Sequence, residues 1–561
     1  MRSAFVWACA WGLSIAATAA LAREAPPADE PAAEPTANEA QEAEPPDTAD
    51  PSAPPPSSGQ LPLTLRDAIA RALENNLDVE LFRYDPAIAE YERKAAWGVH
   101  EPEFYGTGEH RDGSVPVASI FQDPTAPLTF SIEKETTGAT GVRGILPLLG
   151  WRYDLSYSGS SLETNSGIAS YSPEYRSNAS FAFVAPLVRD FLYGRPWISV
   201  RLSGKRSEIA NEDFRRQLMD VVRGTEDAYW NLAAARRNLD VALKSLETSR
   251  ALLRQTQAQF QVGVVSKVEV TEAEAGVAQR EFQLIRDENL YRTAQDQLID
   301  LVFGPALTPT SALEVQIADP PERYQALDVD PQIATEKALA NRPELLSAQR
   351  AVEAQEIQLR FAKNQRLPQV DVVASYATHG LAGIGKIVNL GGTPFGPPPS
   401  SPYGDTHDQF FQGSDSRTWI AGARLSIPIG NTSARSNVRI GEIELHKAET
   451  FVERTRQSII AEVRKAVRDL QSAIQGIEAA ERRRIAAAEQ HRAEQIRLEH
   501  GESTPFDVLQ REEDLVEAES QKIAALRVYH GSVVALDRAQ GTLLEDRGIA
   551  VESVKRMRVE D

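Results

Sequence analysis

The sequence predicts a mainly α-helical chain of long coiled-coil helices, carrying a smaller set of membrane-type β-strands and built as an internal duplication. Three observations point there. Apolar and small residues recur from Phe214 to Phe260 at alternating spacings of three and four (Phe214, Leu218, Val221, Thr225, Ala228, Leu232 and onward), with no proline inside. A 3.5-residue period holds one seam against a partner helix, and at 1.5 Å per residue the stretch reaches about 70 Å. The pattern then restarts. A shift of 266 places Ala72, Leu73, Asn75 and Pro102 on Ala338, Leu339, Asn341 and Pro368, and a shift of 238 places Phe214, Ala228, Leu232, Phe260 and Gly263 on Val452, Ala466, Leu470, Leu498 and Gly501. Finally, two-residue alternation precedes both long helices.

Taken from the start, Met1 to Ala22 reads as a secretory signal peptide: Arg2, an apolar run from Phe5 to Ala19, and the small-residue site Ala20-Leu21-Ala22. The single cysteine, Cys9, lies inside it, so the mature chain offers no disulfide, thiol nucleophile or Cys-ligated metal. Beyond Ala22 no apolar run is long enough for a transmembrane helix, so any crossing has to be a closed β-barrel. Residues 23–60 are rich in Pro, Ala and acid and read as a disordered tether.

A first structural repeat spans residues 61–330 and a second 331–545, leaving 546–561 as a tail. In the first, Leu65, Ala68, Ile69, Ala72, Leu73 and Leu77 make a helical face that continues past Pro86 to near Trp97. Pro102 to His110 is a candidate strand, Arg111 to Glu135 a loop, Thr140 to Ser158 a candidate extra hairpin, and Asn178 to Val188 a clear alternating strand. The long helix follows Pro196, the return helix covers Val268 to Val302, and Gly304 to Asp330 reads as an irregular connection. In the second repeat, Pro368 to Tyr376 and Trp419 to Ile429 alternate around a loop from His379 to Ser416. That makes four clear strands, with aromatic Trp151, Tyr376 and Trp419 near their ends. The duplicate seam is more polar: Leu218, Leu246, Leu253 and Thr256 correspond to Arg456, Arg484, His491 and Glu494.

Both turns carry capping chemistry. Gly263 and Gly501 stand where a left-handed C-cap belongs. Ser266-x-x-Glu269 is a capping box, and Thr504-Pro505-Phe506-Asp507 is a variant with Pro at its first helical position. These residues suffice to fix two tight helix hairpins.

The net charge of -20 argues against a nucleic-acid partner. The eight histidines form no metal-site pair, and no Gly-rich phosphate loop is present, so neither cofactor nor metal is expected and an enzyme is not the reading.

Ordered motifs add a resemblance: Ala338-Leu339-Ala340-Asn341-Arg342-Pro343-Glu344-Leu345, the strand ends Ala185-Pro186-Leu187 and Ile427-Pro428-Ile429, and the turns Val262-Gly263-Val264-Val265-Ser266 and His500-Gly501-Glu502-Ser503-Thr504. From Leu63 to about Leu544 the chain resembles the TolC-like outer membrane efflux protein family. The resemblance implies a homotrimeric α/β-barrel, four strands from each chain in one twelve-stranded barrel in outer membrane lipid, with the helices in the periplasm. It implies a periplasmic membrane-fusion adaptor and an inner-membrane pump of RND or ABC type as partners. The adaptor would dock on Val262, Gly263, Val264 and Ser266, and on Gly501 and Thr504. A gate acid in some members corresponds to Asp507, with Gln510 where a second acid stands. His500 and Glu502 replace apolar neighbours at the second tip, and Ser503 stands where the best-known member has Arg. The expected function is the outer-membrane duct of a tripartite efflux system. The alternatives are a type I protein-secretion channel and, in another class, a periplasmic coiled-coil scaffold without a pore.

Overall fold

Heptad repetition in both halves produces very long helices. The computed structural model describes residues 58–116, 130–304, 312–390, 393–411 and 416–552. The signal-peptide reading, Cys9 included, most of the 23–60 tether and residues 553–561 lie outside the described residues.

The first described element is strand β1 (Ser58–Leu63), which begins in the last residues assigned to the tether. Helix α1 (Leu65–Asn75) and helix α2 (Leu77–Trp97) follow, where one continuous helix was expected. The break has a local cause: the Asn76 side chain accepts the N–H groups of Asp78 and Val79, so it caps α2 instead of continuing α1. Four strands come next, β2 (Glu103–Pro116), β3 (Phe130–Ile145), β4 (Arg152–Thr164) and β5 (Tyr171–Pro186). Then comes helix α3 (Arg195–Gln261), 67 residues long, returning as helix α4 (Lys267–Phe303). Strand β6 (Ala312–Ile317) lies in the stretch expected to be irregular, and pairs in parallel with β1.

The second half repeats the order: helices α5 (Pro331–Asn341) and α6 (Pro343–Gln365), then strand β7 (Gln369–Gly385). The expected loop from His379 to Ser416 holds the end of β7, a small hairpin of β8 (Val388–Leu390) and β9 (Thr393–Phe395), and helix α7 (Asp405–Phe411). Strand β10 (Arg417–Ser426), helix α8 (Thr432–Glu499, 68 residues), helix α9 (Pro505–Gln540) and short helix α10 (Leu543–Asp546) complete it. At 1.5 Å per residue α3 and α8 are each about 100 Å long.

Among the described residues, three apolar clusters hold the helices together. One joins α3 to α4 around Tyr229, Leu232 and Leu298; another joins α8 to α9 around Ile459, Leu470 and Tyr529. The third packs Ile69, Leu73 and Val79 of the first half with Phe214 and Leu218 against Val534, Leu543 and Leu544 of the second. Full burial of such a side chain contributes about 1.5–3 kcal/mol, so this third cluster welds the halves into one unit. Residues after Asp546 join it. Ile549 and Val551 pack on the cluster and Arg547 pairs with Glu226, so this part of the expected tail is folded.

β2, β3, β4, β5, β7 and β10 form one antiparallel sheet in the order β10-β7-β5-β4-β3-β2. Among the described residues six strands of this sheet therefore replace the four that alternation made clear. The expected loop from Arg111 to Glu135 is strand at both its ends. Gly106, Gly108, Gly138, Gly141, Gly144 and Gly159 dilute the apolar alternation there, because a glycine gives no sign of which way its position faces.

Candidate functional site: helix tips and sheet

Each long hairpin ends in the same turn. At the first, the Gly263 N–H donates to the Phe260 carbonyl and the Val264 N–H to the Gln259 carbonyl, both at 2.9 Å. At the second, the Gly501 N–H donates to Leu498 at 3.0 Å and the Glu502 N–H to Arg497 at 2.8 Å. This 5→2 and 6→1 pair is a Schellman stop, and it needs the left-handed residue that glycine supplies, at φ 81° in Gly263 and 72° in Gly501. Past the turn, Ser266 accepts the Glu269 N–H while Glu269 reaches back to the Ser266 N–H. Thr504 and Asp507 make the same reciprocal pair, so the second box is complete despite its shorter acid.

The turns leave apolar side chains in water. Val262 is 75% exposed and Val264 71%. Val268 and Phe506 are exposed beside them, and spacing had not singled these two out. A Cβ on Gly263 or Gly501 would meet nothing within 4 Å, so both glycines sit on open surface. Asp507 is committed to its cap: the Thr504 hydroxyl donates to it at 2.7 Å, and with the Thr504 N–H holds its carboxyl below the usual carboxylate range. Gln510 is exposed one turn on. His500 caps α8, its N–H donating to the Ile496 carbonyl at 3.1 Å.

Behind the tips the hairpins pack side by side. Gly276 of α4 faces Leu509 of α9 closely enough that a Cβ would lie 2.9 Å from it. Ser245 and Ser249 of α3 donate to the buried Glu512 carboxylate of α9 at 3.0 and 3.1 Å. Burial pushes that carboxyl above its ordinary value, opposed by the two hydroxyls and by Arg280. The small polar residues in the α3 seam thus receive an acid from the other hairpin.

At the opposite end, directly paired residues of the sheet share a face. Phe104, Val142, Leu155, Phe181, Tyr376 and Trp419 lie opposite one another across all six strands. The next row, on the other face, reads Tyr105, Gly141, Ser156, Ser180, Ala377 and Thr418. One face is aromatic and apolar, its reverse polar and small, as in the wall of a water-filled membrane barrel. Among the described residues no helix is long and apolar enough to cross a membrane, and no group of His, Cys, Asp and Glu could hold a metal ion.

Comparison with known proteins agrees with this geometry. The profile of the family described as "Outer membrane efflux protein" matches residues 143–302 and 334–542. The chain is 24% identical over 412 residues to the outer membrane protein TolC of Escherichia coli (strain K12), covering 73% of this chain and 77% of that one. It is 25% identical over 360 residues to the outer membrane efflux protein BepC of Brucella suis biovar 1, covering 61% and 68%. The CmeC outer membrane channel of Campylobacter jejuni shares the fold with a TM-score of 0.61 at 16% identity, over 88% of this chain and 89% of that one.

Proposed function

The chain belongs to the outer membrane efflux protein family, a family of outer-membrane channels, and we propose that it is the exit duct of a tripartite assembly fed by an inner-membrane pump through a periplasmic adaptor. The sheet lies in the outer membrane and the helical part extends into the periplasm. The observation that carries the adaptor reading is the pair of like-built tips at the far ends of helices about 100 Å long, each offering exposed apolar side chains. Val262, Gly263, Val264 and Ser266 form the first docking surface, and Gly501 and Thr504 part of the second. Asp507 and Gln510 sit just behind the second tip, where a ring of three copies would narrow the lumen.

The duct is a homotrimer on this reading. Leu77, Leu81, Tyr84, Ile88 and Tyr91 line the exposed face of α2 at alternating spacings of four and three, an uncovered seam suited to a neighbouring copy. Transport then proceeds without catalysis by this chain, driven by the pump, and the acidic net charge of -20 favours cations in the lumen. Photocrosslinking from Val264 in intact cells tests the docking. Adducts with a periplasmic adaptor are expected, and their absence from a chain correctly placed in the outer membrane overturns it.

A further inference from the structure

The sheet holds two strands more than the duplication accounts for. β2 begins one residue after Pro102 and β7 one residue after Pro368, the pair related by the 266-residue shift. Ala185-Pro186 closes β5 as Ile427-Pro428 follows β10. β2 and β5 therefore answer to β7 and β10, and among the described residues the β3–β4 hairpin has no counterpart within the large sheet: the small β8–β9 hairpin between β7 and β10 stands outside it.

The inserted hairpin is built into the sheet. β2 pairs with β3 along its whole length, and β4 pairs with β3 and β5. The Tyr105 hydroxyl of β2 crosses over β3 to donate to the Asp154 carboxylate of β4 at 3.2 Å. Only glycine allows that crossing, since a Cβ at Gly141 would lie 2.7 Å from the tyrosine ring. Arg143 of β3 pairs with Glu103 of β2 at 2.8 Å. At the helix end of the sheet, His100 Nδ1 donates to the Ile145 carbonyl at 3.1 Å, and Trp151 meets Phe183 edge-on with centroids 5.4 Å apart.

Its two edges are open. Among the described residues β2 and β10 each lack a partner on one side, and with six antiparallel strands between and including them they run in opposite directions. The aromatic row ends at these edges in its two most exposed rings, Phe104 at 75% and Trp419 at 72%, each with no strand neighbour on its outer side among the described residues. Lipid supplies no hydrogen bonds, so edges beside an apolar face have to be paired. Six strands closed on themselves would leave no lumen, because about eight only just hold their own side chains.

We propose that β2 of one copy pairs antiparallel with β10 of the next, and that three copies close an eighteen-stranded barrel whose inserted hairpins widen the outer-membrane pore. The inference rests on the channel reading above. Diameter grows roughly linearly with strand number, so this barrel is about 1.5 times as wide as the twelve-stranded one that the duplicated strands alone would make. The outer mouth is then no size filter, and selection by size falls to the helix tips.

The first test is a set of full-length double-cysteine variants, oxidised in outer-membrane preparations, that keep Trp419→Cys and place the second cysteine in turn at each position of β2, because barrel closure staggers the register between copies. Disulfide-linked dimers and trimers are expected at one register. Linkage within one chain alone, or none at any register, overturns the edge pairing. The second removes residues 117–164, joining Pro116 to Asn165; the two lie together, since Pro116 faces Phe130 and the Asn165 N–H donates to Ile132 at 3.4 Å. Deleting two strands preserves the antiparallel alternation. In planar bilayers, the largest poly(ethylene glycol) that enters from the outer side should fall in radius by about one third. An unchanged cut-off overturns the widening. The intact protein in lipid nanodiscs, imaged at strand resolution, decides independently of whether the deletion folds. Eighteen strands support the inference, twelve overturn it while leaving the channel standing, and no barrel overturns both.

Discussion

Asn76 and Arg342 occupy the same place in the two halves and do the same work with different chemistry. Asn76 Nδ2 donates to the Leu301 carbonyl at the end of α4, and Arg342 Nη1 donates to the Ala539 carbonyl at the end of α9, both at 3.3 Å. Leu301 and Ala539 are themselves related by the 238-residue shift. Each junction crosses so near the end of its return helix that glycine is required there. A Cβ on Gly304 would lie 2.1 Å from the Asn75 carbonyl oxygen, and one on Gly541 3.0 Å from that of Asn341.

Arg342 carries more than the carbonyl contact. It pairs with Glu344 and Glu462, both at 2.9 Å, and Arg538 joins Glu462 to Asp220. Arg342→Ala should therefore cost about 1–3 kcal/mol, read as a lowered thermal denaturation midpoint, because it leaves the Ala539 carbonyl without this donor and leaves Glu344 and Glu462 to share Arg538 alone. Arg342→Lys should recover little, since a point charge cannot serve three acceptors in the guanidinium plane. Asn76→Ala should cost about 1–2 kcal/mol through loss of the α2 cap.

Arg547 clasps the C-terminal segment to the body. It holds the 1%-exposed Glu226 through two nitrogens at 2.7 and 3.0 Å, and Asp537 at 3.3 Å. Arg547→Ala should destabilise by about 3–5 kcal/mol by leaving buried acids unpaired. Burial pushes Asp537 up to about 6 against the pull of Arg547. The folded state thus holds that proton more tightly than the unfolded chain, so its stabilising effect is full below the ordinary carboxylate range and is lost as pH rises through about 6. Asp537→Asn should flatten that part of the stability profile.

Glu512 gives a second pH-dependent contact, between the hairpins behind the tips. Its carboxyl is raised by burial, faces Ser245 and Ser249 of α3 and feels Arg280 of α4. By the same sign argument, acidification from neutral pH should tighten the α3–α9 contact. Glu512→Gln should raise the midpoint at neutral pH and remove the dependence. A variant that is destabilised equally at every pH would contradict this.

At the tips, Gly263→Trp and Gly501→Trp should each cost only about 1–2 kcal/mol of backbone strain, since the positions face open space. Trimers should assemble normally while adaptor crosslinking is lost. Gly263→Ala should retain most of the crosslinking, separating bulk from strain.

The helical half of this structure was legible because heptads, caps and stops are local. The Phe214–Phe260 seam, the Gly263 and Gly501 stops and both capping boxes stand where spacing put them. The junction at Asn76 was missed because its side chain competes for backbone N–H groups inside an otherwise helical pattern. β3 and β4 were only half visible, since Gly141 and Gly159 are placed to admit Tyr105 and Tyr403 from elsewhere in the fold. Glu512 could not be read as buried, because what buries it is the other hairpin.

The central claim, that this chain forms the outer-membrane duct, is tested most directly by recording from the purified full-length protein in planar lipid bilayers. Discrete, long-lived conductance steps with a cation-favouring reversal potential are predicted. Protein that stays water-soluble, or that inserts into the bilayer and passes no current, would contradict the account.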